Sequence, residues 1–290
     1  MAVYERTYRR YAGALTPEHS RFLVFPRYAY EEVFRSKLFL AFLVLCLLYP
    51  FGLACILYIP HNLGFIEAFR LDPEDLKGLF QFDARFFYRW LMLPVGFLAF
   101  ILTFIVGPAL VSADLRNNGL ALYFSRPVSR SEYVLGKIAV MVILLSAVTW
   151  VPGMLLFAFQ GYLEGLDWLG ANYRVGLGIF LGFWIWILIL CLVSLALSAY
   201  LKWRPVARLA MILVFFVAAG MAAFINIMLG TQWASLINIT DMIHVVWASL
   251  FGVEAFVSTP AWAAWLALLV VCGLSLLALS RKLKPYEVVR

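Results

Sequence analysis

Six stretches of this 290-residue chain contain no Asp, Glu, Lys or Arg and each exceeds 20 residues: 38–66, 90–113, 138–163, 175–201, 209–240 and 255–280. A helix needs about 20 apolar residues to cross the hydrocarbon of a bilayer. Backbone polar groups in lipid must pair within their own segment, so each run is expected to be a helix. Trimming at Pro60 and near Gly230 predicts spans at 38–59, 90–113, 138–163, 175–201, 209–230 and 261–280. Thr259 and Pro260 fit the N-cap and first position of the sixth. Pro50, Pro94, Pro108 and Pro152 fall inside spans and are expected to kink them. The residues are 64% hydrophobic and 13% charged, whereas a soluble domain is roughly half apolar and a quarter charged. That balance argues against a soluble enzyme, a nucleic-acid binder or a disordered regulator. The expected fold is an all-α polytopic membrane protein: a tail over 1–37 and a six-helix domain over 38–290.

Basic residues in the connecting segments set the expected sidedness. If both termini are cytoplasmic, the inner segments 1–37, 114–137, 202–208 and 281–290 hold 18 of the 23 Lys and Arg. The outer segments 67–89, 164–174 and 231–260 hold 5. The acids divide 7 inside and 9 outside, so the formal charge of +7 resolves into +11 and −4. An integral, multi-pass protein of a bacterial-type plasma membrane with both ends inside is the expectation. The first 37 residues mix both charge signs and have no apolar h-region, so no cleavable signal is expected and the first span serves as the insertion signal.

Outside the spans, 21–37 reads as an amphipathic helix lying at the inner membrane surface. Arg27, Glu31 and Arg35 share one face at i,i+4 spacing, and Phe22, Leu23, Ala29, Tyr30, Val33 and Phe34 the other. Asp83 is a candidate cap on the approach to the second span. Segment 233–251 is apolar but holds Asp241 and His244, and is expected to form one or two short helices dipping into the outer leaflet. Gly178-x-x-x-Gly182 is a small-residue helix-packing motif. Cys46, Cys55, Cys191 and Cys272 sit in apolar stretches without metal or disulfide spacing.

The inner segment 114–137 carries the most information. Asn117-Asn118-Gly119 signals a turn. Leu120, Leu122, Tyr123 and Phe124 then form a short apolar stretch on the aqueous side, and Arg126-Pro127 breaks it. Ser129-x-x-Glu132 is a capping box that starts the helix running through Arg130 and Lys137 into the third span. An apolar knob between basic residues suits docking onto a partner.

This segment resembles the signature loop of ABC-2-type permeases, the six-span membrane subunits of ATP-binding-cassette transporters. The resemblance lies in Asp114, Gly119-Leu120, Ser125-Arg126-Pro127-Val128-Ser129-Arg130 and Gly136-Lys137. The chain departs from the family in Asp114, where Glu is usual, and in lacking the common Thr after Gly119. Leu236-Ile237-Asn238-Ile239-Thr240-Asp241 is similar to an Asn-Pro-Thr-Asp-like segment of some relatives, with Ile239 in place of proline. The resemblance implies an exporter in which two cytoplasmic ATPase subunits drive this permease and a second copy or homologue. Leu120, Leu122, Tyr123, Phe124, Arg126, Pro127 and Arg130 would contact the ATPase through a short coupling helix, and ATP and Mg would be bound by that partner.

No G-x-x-x-x-G-K-[ST] loop is present, since Ile138 follows Gly136-Lys137 and Ser131 stands where the first glycine would be, so nucleotide is expected to bind in trans. The rival readings are an ion-coupled secondary transporter and a membrane-embedded enzyme. Both ordinarily need ionisable groups within the spans. At mid-span the uncharged runs offer the polar but non-ionisable Ser146, Thr149, Ser194, Ser198 and Asn226, and at an edge His61, with every charge outside them. No catalytic, cofactor or metal residue is expected, and no nucleic-acid partner; the remaining partners are membrane lipids.

Overall fold

The computed structural model of the protein describes residues 24–62, 81–117 and 130–282. Six helices are long and apolar enough to cross a membrane: Lys37–His61, Ala84–Arg116, Glu132–Glu164, Tyr173–Tyr200, Arg204–Leu229 and Ala261–Lys282. They are called the first to sixth spans below and fit a multi-pass integral membrane protein. An N-terminal helix, Val24–Val33, precedes them. Between the fifth and sixth lie a 3-10 turn, Trp233–Ile237, and a shorter apolar helix, Ile239–Phe251, the inserted helix. The described residues contain no strand.

Capping explains why helix ends and apolar runs differ. The second span starts six residues before the uncharged run, because the Asp83 carboxylate accepts the Phe86 N–H at 3.0 Å. That cap carries Arg85 and Arg89 onto the helix. Ser36 accepts from Phe39 N–H and starts the first span, ending the N-terminal helix short of the expected Lys37. The sixth span begins at Ala261; Ala263 and Ala264 donate to the Pro260 carbonyl at 3.0 and 3.3 Å. Thr259 is therefore not its cap, and its buried hydroxyl has no partner.

The fifth span corrects the expectation that every charge lies outside the helices. It starts at Arg204, with Pro205 in its first turn, and not at 209. Arg208 turns inward, donates to the Ile105 carbonyl at 3.1 Å and lies 5.9 Å from the Phe104 ring centre. A cut at charged residues stops where hydropathy changes, whereas helical hydrogen bonding continues through a long side chain that can fold back onto its neighbour.

The fourth span is the centre of the bundle: 72% of its apolar stretch is buried, against 11% for the fifth. Close approach to the second span depends on small residues. A Cβ on Gly107 would sit 2.0 Å from Ser194 Oγ. The prolines are accommodated by neighbouring side chains. Pro94 lacks the N–H that would reach Trp90, and the Tyr49 hydroxyl donates to the Trp90 carbonyl at 2.5 Å. Around Pro108, Ser198 Oγ accepts from Val111 and Ser112 N–H at 3.1 and 2.8 Å and donates to the Pro108 carbonyl at 3.0 Å. The third span is interrupted at Thr149, three residues before Pro152, with the Thr149 hydroxyl donating to Leu145.

Polar contacts hold the helix ends together on each face. On the face carrying Asn117 and Arg130, Arg204 pairs with Glu32 at 3.0 Å and ties the fifth span to the N-terminal helix. On the far face His61 meets Glu164 at 3.1 Å, joining the first and third spans. On the N-terminal helix Arg27 and Glu31 are exposed, while Ala29, Tyr30 and Val33 pack on the core; Phe34, expected on the same apolar face, is exposed, and Phe22 and Leu23 lie outside the described residues.

Candidate functional site

The candidate site is the base of the 114–137 segment, built from the last turn of the second span and the first turns of the third. The helix leading into the third span starts at Arg130, immediately after Ser129. Half-buried Glu132 lies in its first turn, where the helix dipole favours an acid. One turn further, Tyr133 and Lys137 share a face at i,i+4 spacing and point onto the second span. Asp114 Oδ2 receives both the Lys137 ammonium at 2.8 Å and the Tyr133 hydroxyl at 2.7 Å. Lys137 Nζ also lies 5.5 Å from the Tyr133 ring centre. Tyr133 is fully buried and Lys137 is 8% exposed.

This ion pair is almost dry, so its partners hold each other strongly; an isolated buried charge would be far costlier. It fixes the two ends of the segment against each other. The N-terminal helix braces the same region, with the Tyr30 hydroxyl donating to the Val140 carbonyl of the third span at 2.8 Å. Burial pushes the Tyr30 phenol up to about 12, so it remains a donor at neutral pH.

Of the residues that carry the sequence resemblance, the structure brings together Asp114 and Lys137. Leu120, Leu122, Tyr123, Phe124, Arg126, Pro127 and Ser129 lie outside the described residues, and of Arg130 the backbone alone is described. Tyr133 was not singled out. The available signal was an acid and a base bounding one loop at the ends of consecutive spans, with an aromatic one turn from the base.

Gly178 and Gly182 face the inserted helix. A Cβ on Gly178 would lie 2.7 Å from Phe251 Cε2, and one on Gly182 3.0 Å from Trp247 Cδ1. Phe251 and Trp247 are themselves four residues apart, so the two helices meet ring against glycine twice. Trp247 Nε1 donates to the Gly182 carbonyl at 2.9 Å, and on its other side a Cβ on Gly96 would lie 2.5 Å from the indole. Asn238 caps the inserted helix by accepting from Thr240 N–H.

Three of the mid-span polar residues bond within the fold, whereas the buried Ser194 hydroxyl has no hydrogen-bond partner. Ser198 bonds to the backbone around Pro108, and Thr149 donates to Leu145 where the third span is interrupted. Asn226 binds the 3-10 turn, donating to Ser235 Oγ at 2.9 Å and accepting from Ala234 N–H at 3.1 Å. His244 packs on Trp247 with ring centres 5.6 Å apart. Comparison with protein-family models and with curated proteins gives no match for this chain.

Proposed function

We propose that the chain is the permease subunit of an ABC-2-type exporter, driven by two copies of a separate cytoplasmic ATPase. The observation that carries this reading is the 114–137 segment. In sequence it carries an apolar stretch, Leu120 to Phe124, followed by Arg126 and Arg130, and its base is held by Asp114, Lys137 and Tyr133. A coupling element must transmit force and not merely bind. A loop whose two ends are clamped passes a push at its tip to both attached spans as a rigid body, whereas a loosely tethered loop absorbs it.

In this reading both termini and the 114–137 segment are cytoplasmic. The N-terminal helix lies in the membrane interface and the 118–129 stretch contains the coupling helix. The chain works with a second permease copy or a homologue. ATP and Mg2+ are bound by the ATPase partner, which supplies the energy.

The test is co-expression with the candidate ATPase. Replacing Tyr123 and Phe124 together by Ala should abolish permease-stimulated ATP hydrolysis while the protein still inserts and purifies. Reversing Arg126 and Arg130 to Glu should weaken co-purification of the ATPase. Retained stimulation and retained binding would overturn the assignment.

A further inference from the structure

The far face carries a cleft of about 780 Å³ between the start of the second span and the segment following the inserted helix. Arg85, Arg89 and Tyr88 line one side, Glu254 and Phe256 the other, with Asp83 at the edge. Two positive and two negative side chains face this one space. Asp83 is engaged as the helix cap. Among the described residues Arg85, Arg89 and Glu254 form no ion pair, with each other or elsewhere. Tyr88 is only 4% exposed, stacks on Phe256 at 6.0 Å, and its buried hydroxyl has no hydrogen-bond partner. A hydroxyl left unpaired in a buried place is destabilising, and a bound acceptor would relieve it. The cleft therefore offers donors for an anion on one wall and a free carboxylate for a cation on the other.

Its depth indicates which molecule. Trp90, largely exposed, stands beside it at the point where the second span becomes continuously apolar, the level at which tryptophans mark a membrane interface. Further along the same seam lies an apolar cavity of about 220 Å³ lined by Phe97, Phe100, Trp186, Phe215 and Trp247. Four residues of helix separate Arg89 from Leu93 at its near edge, a rise of about 6 Å. A charged cleft at the interface above an aromatic cavity within the bundle matches a molecule with a dipolar head and an apolar body.

We propose that the seam between the second span and the inserted helix binds a zwitterionic phospholipid. Its phosphate is held by Arg85, Arg89 and the Tyr88 hydroxyl, its ammonium by Glu254, and an acyl chain extends toward the aromatic cavity. This rests on the six-span architecture and not on the ATPase-driven reading. The permease alone is assayed, so failure here leaves that reading untouched.

The experiment is native mass spectrometry of the purified protein equilibrated with equal amounts of phosphatidylethanolamine, phosphatidylglycerol and diacylglycerol. The wild type should retain phosphatidylethanolamine over phosphatidylglycerol, and both over diacylglycerol, by roughly tenfold at each step, the ratio set by one good polar contact. Glu254→Gln should erase the first preference and keep the second. Arg85→Gln with Arg89→Gln should lose both phospholipids, and Tyr88→Phe should weaken both without changing their order. These are cleft-lining substitutions, and an unchanged melting temperature in each confirms the fold. Equal or greater retention of phosphatidylglycerol by the wild type, adducts unaffected by the variants, or displacement by millimolar inorganic phosphate would each overturn the proposal.

Discussion

Replacing Lys137 by Met removes one end of the clamp and leaves the largely buried Asp114 carboxylate with only the Tyr133 hydroxyl of its two described partners. At 2.8 Å, an effective dielectric of about 20 gives a gross attraction of about 6 kcal/mol. Much of that offsets desolvation, and deleting one member of a buried pair costs about 3–5 kcal/mol. The Lys137 and Asp114 side chains keep 10% and 16% of their accessibility. Water therefore reaches them a little, and the low end, about 3 kcal/mol, is the expected loss. Adding Asp114→Asn removes the orphaned charge and keeps the hydrogen bond to Tyr133, so the double variant should recover about 2 kcal/mol of that loss. Reversible unfolding in mixed dodecylmaltoside and dodecyl sulfate micelles, run as a double-mutant cycle, measures both quantities. A single variant within about 0.5 kcal/mol of wild type, or a double variant no better than Lys137→Met, would refute the clamp as an energetic unit.

Two further predictions follow from the packing. Gly182→Ala places a methyl 2.7 Å from the flexible end of Met92 and 3.0 Å from the rigid Trp247 indole; Met92 can give way and the indole cannot, so the variant should destabilise the protein by about 1–3 kcal/mol. Gly220→Ala, with nothing within 4 Å, should be neutral or slightly stabilising in the same micelles; equal effects would refute the tight seat of the inserted helix. Ser198→Ala removes the side-chain acceptor shared by Val111 and Ser112 and should destabilise by about 1–3 kcal/mol. Hydrogen exchange at those two amides should accelerate while exchange near Leu102 does not, and unchanged exchange at 111–112 would refute the bridging role.

The six spans were legible because lipid imposes a one-dimensional requirement: a sufficient length of chain without charge. Their ends were less legible because they depend on single capping atoms. Asp83 extends the second span outward past two arginines, and Pro260 takes the place expected of Thr259. Arg208 shows the limit of treating charge as a marker of exposure, since its guanidinium rests on a carbonyl of the neighbouring span. The inserted helix was anticipated as a short apolar element, but its seat was not. The spacing of Gly178 and Gly182 does not reveal that two aromatic rings from a helix some 65 residues later fill it.

Pairing between distant residues is the part that pattern leaves hidden, and the candidate site depends on such a pair. In the count of basic residues Lys137 weighs the same as Arg116, which is exposed at the end of the second span. Both indicate the same side of the membrane, yet one is exposed and the other is locked to Asp114. The difference arises from the helical turn that sets Tyr133 beneath Lys137, so that carboxylate, phenol and ammonium converge where two spans leave the bundle. A charge retained at that depth is costly unless paired. The pair consequently holds the end of the second span against the start of the third, a contact that neither the length of the uncharged runs nor the count of basic residues reveals.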